Sequence, residues 1–163
     1  MKKDSKNIML EAITYFGNDR KRINHLIKVN TYAKLIAKLE EVSENEYQII
    51  DIASILHDIG IKLAEEKYGS NEGKYQEIEG PAVAETIMKK FGYEIELVNR
   101  VKYLIAHHHT YDQIDGIDYQ ILVEADFIVN LDEENVSQTA VKKVEEKIFK
   151  TASGKKLLEK TFY

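Results

Sequence analysis

Residues 43–60 read SENEYQIIDIASILHDIG. Ser43 followed three residues later by Glu46 is a capping box, in which each side chain satisfies a backbone N–H at a helix start. Behind it Ile49, Ile50, Ile52, Ala53, Ile55 and Leu56 recur around the helix, which predicts a largely buried element ending near Gly60. His57 and Asp58 close that apolar run. Neighbours on a helix point about 100° apart, so the two converge on one ion only where the helix ends or is pressed against it. Burying an aspartate without a partner is costly, and a divalent cation is one of the few neighbours that turns the cost into a gain.

On the N-terminal side, periodicity predicts a helix from about Lys6 to Phe16, stopped by Gly17. A longer helix follows, capped by Asn18 or Asp19 and running to about Leu39, with His25, Val29, Tyr32, Ala33 and Ile36 on one face. On the C-terminal side, residues 67–76 (KYGSNEGKYQ) are polar and hold two glycines, which predicts a mobile loop able to cover a site. Pro81 reads as the first position of a helix reaching about Phe91. Further helices are expected over about Glu94 to His107 and Asp118 to Asn130, with one or two closing the chain. The fold expected is all-α, a single-domain irregular bundle of six to eight helices over residues 1–163. A motif-bearing core spans about 20–130 and a helical extension 131–163.

The chain has 163 residues, enough for one domain with a real core. Hydrophobic residues make up 44% and charged residues 31%, an ordinary globular composition. With no cysteine, any metal must be held by imidazole nitrogen and carboxylate oxygen. A net charge of −5 with interspersed signs offers no basic face to a nucleic-acid duplex. The first ten residues carry Lys2 and Lys3 but no apolar targeting run, and no segment has the length of a membrane span, so a cytoplasmic protein is expected.

Two more residues stand out against apolar surroundings. His25 lies in an apolar helical face, and Asp126 follows Ala125 within the apolar stretch from Tyr119 to Leu131. Alone, His25 reads as a satisfied core histidine, His57 and Asp58 as a helix-end charge pair, and Asp126 as a cap. Together, two imidazoles and two carboxylates from separate helices make a mixed donor set suited to Mn, Fe, Ni, Co, Zn or Mg.

The ordered set Arg22 and His25, then His57-Asp58-Ile59-Gly60, then His107 and His108, then Glu124-Ala125-Asp126 resembles the H…HD…D signature of the HD-domain superfamily of metal-dependent phosphohydrolases. The resemblance covers about Arg20 to Asn130. Residues 68–81 (YGSNEGKYQEIEGP) and 107–126 (HHHTYDQIDGIDYQILVEAD) look like a subgroup of unassigned substrate. The resemblance implies that His25, His57, Asp58 and Asp126 hold a divalent metal ion and that a metal-bound water attacks phosphorus. The expected substrate is small and phosphorylated: a phosphomonoester, nucleotide or cyclic nucleotide. Neither duplex nucleic acid nor membrane is an expected partner, and a homodimer stays open.

Around that centre, Arg22 lies one turn before His25 and is placed to grip a phosphate, with Lys62 as a second positive charge. Glu77 or Glu79 is a candidate general acid or water-orienting group. Superfamily members with two metals usually carry a histidine where this chain has Gln76, so one tightly held ion is expected and a second is not. His107 and His108 match the paired histidines of HD-GYP members and are expected beside the metal or facing substrate. Of the tyrosines, Tyr68, Tyr75 and Tyr111 lie where a nucleobase would stack. Two further classes stay open: a di-iron oxygenase on the same fold, and a non-catalytic metal- or nucleotide-binding module.

Overall fold

The computed structural model describes residues 3–163; the part of the N-terminal reading that falls on Met1 and Lys2 lies outside them. Helix α1, Lys6–Phe16, ends at Gly17, whose φ of 63° is the left-handed geometry that glycine adopts without a Cβ penalty. Asp19 caps α2, Arg20–Leu39, by accepting the Arg22 N–H. The capping box at Ser43 and Glu46 forms with both hydrogen bonds present and starts α3, Glu44–Leu56. The elements that follow are α4 Ile61–Tyr68, α5 Gly73–Lys90, α6 Ile95–His107, α7 Ile117–Glu133, α8 Gln138–Ile148 and α9 Ala152–Phe162. The all-α bundle agrees with expectation, and the described residues form nine helices, one beyond the expected range.

The additional helix is α4, and with it the expected loop over residues 67–76 shrinks. Lys67 and Tyr68 finish α4, only residues 69–72 connect, and α5 already begins at Gly73. Gly69 makes the stop, in left-handed geometry with φ 65°. Pro81 therefore lies inside α5 and not at its first position. It has no N–H to give the carbonyl one turn back, a loss that proline imposes in any helix interior.

Beside it, Gly80 meets Gly60. A Cβ on Gly60 would stand 2.6 Å from both the Gln76 carbonyl oxygen and the Gly80 nitrogen. The turn from His57 to Gly60 is thus pressed backbone to backbone onto α5, which fixes where Asp58 points.

Helices α2, α3 and α7 pack on one another at the centre, while α5 and α6 pair, α5 packing also on α4 and α6 on α3. Side chains from Tyr119 to Asp126 on α7 are all buried, so this helix is enclosed on every side. Residues of α8, α9 and their junction, Val141, Ile148, Phe149 and Leu158, belong to the same core as α2, α3 and α7. Glu124 ties that C-terminal part to α7. Fully buried, it accepts hydrogen bonds from Gln120 Nε2, the Lys150 and Thr151 N–H groups and the Thr151 hydroxyl. No helix among the described residues is long and apolar enough to cross a membrane.

Candidate metal centre

His25 arrives from the second turn of α2, His57 caps α3, Asp58 follows in the turn, and Asp126 stands mid-way along α7. Their inward atoms meet. His25 Nε2 lies 3.2 Å from His57 Nε2, 3.2 Å from Asp58 Oδ2 and 3.1 Å from Asp126 Oδ1. His57 Nε2 is 3.3 Å from each of the same carboxylate oxygens. Donors bound to one ion at about 2.1 Å stand about 3.0 to 3.4 Å apart, according to the coordination polyhedron, and these separations fall in that range.

The ring nitrogens facing away are already committed. His57 Nδ1 donates to the Ser54 carbonyl at 2.7 Å, and His25 Nδ1 donates to Glu133 Oε1 at 2.7 Å. Both Nε2 atoms therefore turn lone pairs toward the centre unless they carry protons. A carboxylate behind the outer nitrogen fixes the tautomer and strengthens the imidazole as a donor. Glu133 does this for His25, and it escaped sequence analysis because it is one of three consecutive acidic residues ending α7.

The electrostatics agree with a place for positive charge. Burial opposes the His25 imidazolium, but the hydrogen bonds it donates to Asp126 and Asp58 outweigh it and raise its pKa to about 10. Burial likewise opposes charge on His57, and the Asp58 charge together with the Asp126 hydrogen bond moves its pKa well above the ordinary value. Asp126 and Asp58 move the other way: burial disfavours their ionisation, and the imidazoles holding them outweigh it. Protons and a divalent cation compete for the same position.

Asp58 also faces a second group. Its other oxygen, Oδ1, lies 3.3 Å from His108 Nε2, and His108 Nδ1 donates to the Ile105 carbonyl at 2.7 Å. Asp58, His108 and His109 form a second set of mutually close donors, as His25, His57 and Asp58 form the first. The paired histidines are thus His108 and His109. His107 turns outward, stacked on Tyr103 at 4.2 Å with Nδ1 donating to the Tyr103 carbonyl. The histidine run crosses the end of α6, where helical spacing no longer dictates direction, and only the run itself pointed to His109. Burial, and then the neighbouring His108 charge, lower the His109 pKa to about 4. Gln76 stands beside it, with Oε1 3.3 Å from His109 Nε2.

The centre opens into a cavity of about 580 Å³. Arg22 lines it, but its guanidinium is forked onto Glu65 at 2.6 and 3.0 Å and also touches Asp19 at 3.2 Å. Lys62 does not reach the cavity: it is exposed on α4 with Nζ over the Tyr15 ring. Glu79 is bound outward by Lys67 and Tyr68. Glu77 accepts from the His109 N–H and the Thr110 hydroxyl and so braces the turn carrying His109, without lining the cavity itself. Tyr68 and Tyr75 stack on each other at 4.3 Å, and Tyr111 packs against Phe127.

No curated protein matches the chain. The crystal structure of a predicted HD superfamily hydrolase from an uncultured Thermotogales bacterium is similar, with 26% identity and a TM-score of 0.64, covering 94% of this chain and 80% of that one. The sequence model of the HD domain matches residues 22–152, past the expected end of the motif-bearing core near residue 130. Because that match takes in all four converging residues and most of the sequence, the chain belongs to the HD domain family.

Proposed function

We propose that the protein hydrolyses phosphate esters with a divalent metal ion held by His25, His57, Asp58 and Asp126. The observation that carries this reading is that the inner nitrogens of His25 and His57 each lie 3.1 to 3.3 Å from Asp58 Oδ2 and from Asp126 Oδ1 beside an open cavity. The chemistry an ion supplies there is a bound water whose pKa falls from 15.7 to about 7, and charge to offset that developing on a phosphoryl oxygen.

The chain's own residues do the rest. Glu133 and the Ser54 carbonyl hold the two imidazoles with Nε2 inward. Arg22 exchanges Glu65 for the phosphoryl oxygens of a bound ester, two of which its planar fork can meet as it meets a carboxylate. Asp58 Oδ1, His108 and His109 would hold a second ion if one bound. Phosphomonoesters, nucleotides and cyclic nucleotides are the ester classes in question. Assaying a panel of all three with Mn, Co, Ni or Mg tests the proposal: ion-dependent release of phosphate or nucleotide is expected, and none across the panel removes it. The two donor groups sharing Asp58 also favour, as a second reading, a di-iron oxygenase. Two irons per chain with oxygen uptake and no ester turnover would select it.

A further inference from the structure

Beyond the ion-binding cluster, the cavity wall carries polar side chains that the protein itself leaves without partners. Asn71 from the α4–α5 connection, Asn130 and Glu134 from the end of α7, and Lys21 from α2 line it, and their side chains make no hydrogen bond among the described residues. Asp126, Asn130 and Glu134 recur at four-residue steps, so one stripe of α7 runs from the cluster out along the wall.

Hydrophobic side chains are few on that wall. Ile61 is its one hydrophobic side chain among the described residues, itself only 7% exposed, and no phenyl or phenol ring lines it. Affinity for a nucleobase comes from apolar and stacking area removed from water. Here the tyrosines suited to that task are paired off elsewhere, so a ligand must be gripped through hydrogen bonds. Charge narrows the ligand further. With Arg22 taken up by the phosphoryl group at the cluster, the outer wall sets Lys21 against the carboxylates of Glu133 and Glu134. One phosphoryl group is drawn to the cluster, whereas a polyphosphate tail extending from it would meet like charge.

Resting on the phosphoesterase reading above, we infer that the substrate is the monophosphate of a small, hydroxyl-rich compound without a base, a sugar or polyol phosphate. Its phosphoryl group lies at the cluster and its hydroxyls are held by Asn71, Asn130 and Glu134. The amides both donate and accept, as vicinal hydroxyls do, and Glu134 accepts.

The test combines binding and turnover on the full chain loaded with Mn²⁺. Calorimetry compares the non-hydrolysable phosphonate analogues of glucose 6-phosphate and AMP. The sugar analogue is expected to bind at least about tenfold more tightly, the difference that one or two well-placed hydrogen bonds supply. Asn130→Ala, and independently Asn71→Ala on a different element, are each expected to remove most of that preference. Equal or tighter binding of the AMP analogue, or an undiminished preference in both folded variants, overturns the inference. Turnover of p-nitrophenyl phosphate separates the two levels. If it is hydrolysed while the sugar analogue shows no preference, the substrate class falls and the phosphoesterase stands. If no ester is hydrolysed, both fall.

Discussion

Glu124 and Asp126 stand two residues apart on α7, 0% and 4% exposed, and point to opposite sides of the helix. Around Glu124 every neighbour donates: an amide, two backbone N–H groups and a hydroxyl occupy its oxygens. Gly154 is packed so closely that any side chain there would strike the Glu124 carboxylate. Around Asp126 the neighbours are the inner nitrogens of His25 and His57, whose outer nitrogens already donate elsewhere. Carboxylate oxygen and imidazole lone pair repel unless positive charge sits between them. Two buried acids on one helix are thus stabilised by different means, one by neutral protein donors and the other by positive charge, which the imidazoles carry when protonated and which an ion would replace on the proposed function.

Exchanging the two roles should produce the largest effects. Glu124→Ala strands buried donors and should cost about 3 to 5 kcal/mol of stability, read by denaturant unfolding, while leaving the ion content of the folded fraction intact. Asp126→Asn should instead fold and lose ion affinity by well over the roughly hundredfold that an outer partner is worth. Ion loss in the Glu124 variant at full folding would erase the distinction. Next in size is Gly60→Ala, which drives a methyl into the backbone of α5 and displaces the turn carrying Asp58. A loss of about 2 to 3 kcal/mol is expected, together with weaker ion binding, because overpacking against backbone has no flexible side chain to yield. Smaller again is Glu133→Gln. It keeps an acceptor for His25 Nδ1 but removes the charge, so ion affinity should fall about 10- to 100-fold with unfolding nearly unchanged. An unaltered affinity would mean that the Asp126 side of α7 needs no support from its last turn.

The same contrast explains what the sequence made legible. His25, His57, Asp58 and Asp126 could be picked out because each interrupts an apolar run, where an unpartnered polar group is expensive. Gly17, Asp19 and the Ser43–Glu46 box were equally readable, since helix ends obey local rules. His109 and Glu133 sit at helix ends within runs of like residues, where direction is set by the tertiary turn and not by periodicity. Helix α4 and the early start of α5 were hidden by a polar composition. Their position depends on the contact of Gly60 with Gln76 and Gly80, sixteen and twenty residues away in sequence, and Pro81 lies inside α5 although proline ordinarily opens a helix.

The pH dependence of the ion-free protein tests the electrostatic half of the comparison with the least intervention. The His25 pKa of about 10 in the fold lies above its ordinary 6.5, so between those values the native state binds a proton that the unfolded chain has released. That stabilisation is complete below about pH 6.5 and is lost as pH rises toward 10, and His57, shifted in the same direction, adds to it. Each such imidazole steepens the fall by about 1.4 kcal/mol per pH unit. His109, lowered to about 4, exerts its influence below pH 6.5, and Tyr111, which burial raises to about 12, acts above 10. The window from 7 to 9.5 therefore belongs to the cluster. Chelator-treated protein should show a thermal midpoint that drops across it, and saturating Mn²⁺ should flatten the profile, since the ion replaces the protons between Asp126 and the imidazoles. A level profile without the ion would mean that no proton is held there, and that Asp126, like Glu124, is satisfied by the protein alone.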